Sequence, residues 1–214
     1  MAPPSILNAW KSLSRFPPFM RTLAFRYMVS SIAPYSGTIF PNVQHLDTHK
    51  CLVSIKERRI LKNPFNSIHA VALTNLGELA SGVMVMSALQ ENGLRGIVTK
   101  LDTEYHKKAK GVVTAEALSP PYDISGNPIT PKALAAGAPP AGTDAGSTEA
   151  APQASGPSSA SSETPFPVKE LLLPGESEKQ VQFKTTIRDE AGDVVAITTA
   201  RWIVRALPQG QSKN

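Results

Sequence analysis

The chain has 214 residues, a formal charge of +5 and one cysteine. A single cysteine excludes an intrachain disulfide and fits a reducing, intracellular compartment. No Cys/His group has zinc-like spacing and no glycine-rich phosphate loop occurs, so the sequence implies no metal and no cofactor. The charge is uneven: residues 1–46 hold Lys11, Arg15, Arg21 and Arg26 and no Asp or Glu. Four scattered cations form no dense basic stripe, which argues against a nucleic-acid partner.

Residues 1–33 read as two helical segments, SILNAWKSLSR and FMRTLAFRYMVSSI, separated by Pro17-Pro18. In the second, Phe19, Met20, Leu23 and Tyr27 share a face. Three readings stand open. The segments pack on the domain, form a mitochondrial transit segment, or lie on a membrane surface. The compartment is correspondingly cytoplasmic or mitochondrial.

Residues 34–118 carry the first part of the domain. Strands are expected at 36–44 and 50–58, with Cys51 packed in the second. A long helix follows, starting near Ser67 to His69 and ending between Met86 and Gln90. Asn66 and Ser67 are its cap candidates. A strand is expected at 96–108, with Ile97, Thr99, Leu101, Thr103 and Tyr105 on one face and Lys100, Asp102, Glu104 and His106 on the other. Another follows at 112–118. Residues 119–167 are rich in Pro, Ala, Gly and Ser and cannot bury enough apolar surface to fold, so they read as a disordered insertion. Residues 168–207 supply the final strands, 181–190 and 193–207, joined by a hairpin turn at Ala191-Gly192. Residues 208–214 form a tail. An antiparallel sheet wrapped around one long central helix accounts for this order and makes the class α+β.

The helix holds the most informative residue. Glu78 is the only charged side chain between His69 and Glu91. Ala72, Leu76, Leu79, Val83 and Met86 line one side, and Val71, Leu73, Ala80 and Met84 cover much of the rest. A helix apolar nearly all round is a buried one. An ionised carboxylate there is costly, and such groups are where raised pKa values and acid/base chemistry arise. The structural alternative places Glu78 toward solvent or at a dimer seam.

Asn63-x5-His69-x8-Glu78 resembles the active-site constellation of hot-dog-fold thioesterases of the phenylacetyl-CoA type. APYSGTIFP (33–41) and HAVALTNLGELASG (69–82) resemble a branch of that superfamily catalogued as a domain of unknown function. The likeness spans about residues 5–118 and 180–206. It implies a hot-dog fold, an acyl-CoA or acyl-carrier substrate, and a homodimer or higher homo-oligomer. It also implies roles: Glu78 as base or nucleophile, Asn63 orienting water or the carbonyl, and His69 as orienter or packed helix-start residue. The amides of Ala70 and Val71 would polarise the thioester carbonyl. Lys107, Lys108 and Lys110 would suit CoA phosphates, or form a solvated strand end. One departure stands out: Ala70-Val71 occupy the place of the thioesterases' Gly-Gly. Hydratases of this superfamily carry an acid five residues before the His, where this chain has Pro64.

Two function classes besides a thioesterase fit the residues: a non-catalytic acyl or acyl-carrier binding module, and a structural subunit docking through the dimer and N-terminal helices.

Overall fold

The computed structural model describes residues 5–119, 121–129, 171–172 and 176–206. Three N-terminal helices, α1 (Ile6–Ser12), α2 (Pro18–Ile32) and α3 (Pro34–Gly37), lead into strands β1 (Asn42–Leu46) and β2 (Lys50–Lys56). The long helix α4 (Ala70–Glu91) precedes β3 (Leu94–Tyr105), β4 (Val112–Leu118), β5 (Glu178–Asp189) and β6 (Val194–Ala206). The strands form one antiparallel sheet in the order β1-β2-β4-β5-β6-β3. α4 packs against β2 to β6. This is the hot-dog arrangement that the resemblance implies.

α4 starts at Ala70, one residue after the window expected for its first residue. Its N-cap is His69, whose Nδ1 accepts the Val71 N–H at 3.2 Å, in place of Asn66 or Ser67. It runs one residue past the expected end, to Glu91. There Asn92 Nδ2 donates to Ala88 O and Gly93 turns the chain at positive φ. By length and composition α4 could cross a bilayer, but 72% of that window is buried inside the fold. It is the core helix.

Small residues let it sit close to the sheet. A Cβ on Gly77 would lie 2.5 Å from the Thr198 Cβ on β6. The buried hydroxyls of Ser81 and Ser87 bond back to Gly77 O and Val83 O, so they bring no unpaired group into the core.

Two expectations need correction. The strand expected at 36–44 starts only at Asn42, because Pro34 opens a helical turn over 34–37 and Phe40 takes a positive φ. The face expected on 96–108 is broken by a bulge between Val98 and Lys100, and the strand ends at Tyr105. The bulge flips the phase: Val98 pairs with Trp202 on the helix side, Ile97 with Ile203 on the outside, and Leu101 and Thr103 return to the helix side. In the N-terminal helices the apolar face read from sequence is the outer one. Phe25 and Val29 are buried, while Phe19, Met20, Leu23 and Tyr27 are exposed.

The N-terminal helices nevertheless belong to the core. Leu7 and Trp10 are buried, Trp10 meets Phe25 edge to face at 4.9 Å, and the Ile6 N–H donates to Gln90 at the far end of α4.

The boundary of the expected insertion also moves. Residues 121–129 pack on the sheet: Tyr122 and Gln182 exchange both backbone hydrogen bonds at 2.7 Å, and Ile129 is buried. An Asp123 side-chain turn, accepting from Ser125 and Asn127, holds this loop. The rest of the segment expected to be disordered lies outside the described residues, as does the tail.

Gly77→Ala tests the helix–sheet fit. Placing a methyl group against Thr198 should destabilise the fold by about 1–3 kcal/mol through overpacking, measured by urea denaturation, and Thr198→Ser should not rescue it fully.

Candidate functional site

α4 presents Glu78 to a cavity of about 170 Å³ between the core helix and the N-terminal helices. Met28, Val29, Ile32 and Ala33 wall it from α2 and its C-terminal end, Leu79, Val83 and Met86 from α4, and Trp202 from β6. Gly82 keeps space open beside the carboxylate: a Cβ there would come within 3.2 Å of Glu78 Oε1 and 3.7 Å of the Trp202 ring. The walls are almost wholly apolar. Half-buried among them, Glu78 finds no hydrogen-bonding or ionic partner among the described residues, and burial pushes its carboxyl above the ordinary Glu value.

Trp202 is the residue that sequence reasoning missed. It is 4% exposed, and its indole N–H is buried without a partner among the described residues. Its ring walls the cavity beside Gly82, close to Glu78, while the N–H itself is enclosed by the fold. A half-buried carboxylate with no partner among the described residues marks this cavity as a place for a ligand's polar end. The only sequence signal for Trp202 was an indole on an inward strand position.

The other predicted site residues gather elsewhere. A shallower pocket of about 310 Å³ is lined by Asn63, Ser67, Ala70, Leu73, Tyr105 and Lys108, among others. Asn63 is occupied by its own loop: Oδ1 accepts the Phe65 and Ser67 N–H groups, and Nδ2 donates to Ser67 Oγ. That network shapes the turn before α4, with Asn66 at positive φ. His69 sits beside it at the helix start. Because its Nδ1 accepts the Val71 N–H, the ring proton lies on Nε2. The Val71 amide is therefore already engaged, and no partner for the Ala70 N–H occurs among the described residues. Tyr105 adds an unforeseen contact, donating its hydroxyl to Ala70 O at 3.1 Å and lying 2.6 Å from Thr74 Oγ1.

The lysines divide. Lys107 bonds both Asp189 and Asp193, which holds its ammonium above the ordinary Lys value and clamps the β5–β6 hairpin. Lys108 lies 5.9 Å over the Phe65 ring. Lys110 is exposed. Among the described residues no group of three His, Cys, Asp or Glu could hold a metal ion, and the Cys51 thiol is fully buried.

The raised pKa has a consequence for stability. Below the ordinary Glu range, Glu78 is protonated in both folded and unfolded chains. As pH rises through that range the unfolded chain ionises first, so stability falls until the folded carboxyl ionises as well. Glu78→Gln removes this loss. The variant should melt above the wild type at neutral pH, with the difference vanishing below the ordinary Glu range, in thermal melts followed by circular dichroism.

Comparison with known proteins adds the family. Among solved structures the chain is similar to a structural-genomics protein, APC5556, at 20% identity and TM-score 0.60, covering 94% of this chain and 99% of that one. It is similar at 16% identity and TM-score 0.56 to a Pseudomonas aeruginosa protein described as a probable thioesterase, over 85% and 93% of the two chains. AziG of S. sahachiroi follows at 15% identity and TM-score 0.51, over 82% and 98%. These likenesses establish the fold. A comparison with curated proteins returns no match. Residues 21–142 match the family described as a domain of unknown function, DUF4442, and the chain, with its sheet wrapped around α4 in a hot-dog fold, belongs to that family.

Proposed function

We propose that the protein hydrolyses an acyl thioester, with Glu78 as general base. The observation that carries this reading is the unpartnered Glu78 carboxylate facing an apolar cavity. A carboxylate raised toward neutrality by desolvation accepts a proton from water efficiently. Water held by Glu78 attacks the thioester carbonyl and passes its proton to the carboxylate. The carbon–sulfur bond breaks as the tetrahedral intermediate collapses, and the thiolate takes up a proton as it leaves. The Met28, Val29, Ile32 and Met86 walls suit the acyl chain. The Pseudomonas aeruginosa protein's description as a thioesterase points the same way.

Within one protomer Glu78 and the Asn63–His69 pocket open on different cavities. Joint action of the two would require a second copy. A homodimer along the edge strand β3 fits this need, because Ile97 and Leu101 are 64% and 41% exposed there and β3 has an unpaired edge among the described residues. The acyl-CoA substrate class and the lysine contacts to phosphate remain part of this proposal, with Lys108 and Lys110 the available cations. The core contacts of Leu7, Trp10, Phe25 and Val29 favour an N-terminal segment retained in the working protein over a cleaved transit segment, in cytoplasm or mitochondrion alike.

A second reading has its own support. Asn63 spends its amide on its own loop, and side chains stand at Ala70 and Val71 where thioesterases of this type carry glycines. Both favour a binding module that keeps the cavity and has lost turnover.

A panel of acyl-CoA esters of graded chain length separates the two. The wild type should release free thiol, and Glu78→Gln should lower kcat about 10²–10⁴-fold with little change in KM. Binding of acyl-CoA without thiol release would assign the binding module instead, and neither binding nor turnover would leave a docking subunit.

A further inference from the structure

Helix α2 is apolar on two opposite sides. Its inner side, Phe25 and Val29, is buried in the core. Phe19, Met20, Leu23 and Tyr27 recur at i, i+1, i+4 and i+8 on the other side, with Phe19 72% and Tyr27 68% exposed. Among the described residues nothing covers this stripe. An exposed apolar face of this size on a folded domain marks an interaction surface.

Charge selects the occupant. Residues 5–46, which build α1, α2, α3 and β1 around the stripe, contain four cations and no carboxylate. Lys11, in the last turn of α1, and Arg15, in the turn that precedes α2, are exposed, and the Arg15 guanidinium lies 5.3 Å over the Phe16 ring. Arg21 stacks on Trp10 and Arg26 donates to Pro41 O, which leaves Lys11 and Arg15 as the exposed cations of these elements; an apolar stripe accompanied by free cations and no anion among these elements matches the chemistry of an anionic bilayer surface. Met28, Val29, Ile32 and Ala33 of α2 and its end line the apolar space beside Glu78, and Ile32 reaches the surface at 67% exposure. One helix therefore offers an apolar stripe outward and an apolar wall inward.

We propose that α2 seats the protein on an anionic lipid bilayer, with Phe19, Met20, Leu23 and Tyr27 in the headgroup–acyl boundary and Lys11 and Arg15 at the level of the lipid phosphates. This holds whether the cavity turns its ligand over or only binds it.

The test is flotation of the full chain with phosphatidylcholine vesicles, with and without phosphatidylserine, at low and high salt. The wild type should float with the anionic vesicles, and high salt should weaken the binding. Leu23→Asp touches no core contact and should reduce the bound fraction about tenfold or more, without changing the melting temperature. Lys11→Ala and Arg15→Ala should each lower partitioning about fivefold on anionic vesicles only. A wild type that stays in solution with both vesicle types at low salt overturns the proposal. So does a Leu23→Asp variant whose molecular mass by light scattering falls to a fraction of the wild type's, because a second copy of the chain would then occupy the stripe.

Discussion

The structure depends on covering one helix. α4 carries 22 residues of which a single side chain is charged before its last position, so every side of it must be shielded from water. The sheet covers one side and can do so closely because Gly77 leaves room for Thr198. The N-terminal helices cover another, through Leu7, Phe25 and Val29. Glu78 lies where these two covers meet, and the small gap between them is the cavity. The lone carboxylate and its dry surroundings are thus one consequence of how the helix is wrapped, and the chemistry proposed for it follows from that wrapping.

Much of this architecture is legible in the amino-acid sequence because its signals are local. The apolar run of α4 is long enough to announce a buried helix, and the Ala191-Gly192 turn between two β-rich runs announces a hairpin, closed by the Gly192 N–H to Asp189 O bond. The same locality explains the errors. Alternation through 96–108 reads as one continuous face because a bulge at Thr99 leaves no mark in residue type, yet it exchanges the inner and outer sets. α2 is apolar on both sides, so periodicity identifies a face without saying which is turned inward.

The candidate site was legible at Glu78 and obscure elsewhere, for a related reason. A carboxylate among apolar neighbours needs no tertiary information to look anomalous. Trp202 does, since its anomaly is a missing partner, and it lies 124 residues from Glu78 in the chain. Lys107 reads as a surface cation until Asp189 and Asp193 are brought to it by the β5–β6 hairpin. Asn63 has the spacing of a functional amide, but its hydrogen bonds close on Ser67 and Phe65 four and two residues away. Spacing specifies where along the chain a group stands. It carries no information on whether that group's hydrogen bonds are already spent.

The central claim is that Glu78 is desolvated and unpaired when the protein is folded. Direct titration of its carboxyl carbon by nuclear magnetic resonance, in protein labelled at glutamate side chains and assigned by the signal lost in Glu78→Gln, measures this without reference to any substrate. The expected midpoint is displaced above that of an ordinary glutamate, the direction that burial alone imposes. A midpoint at or below the ordinary value would contradict it, because it would mean that water or a cation reaches the carboxylate and that the cavity is not the dry site described.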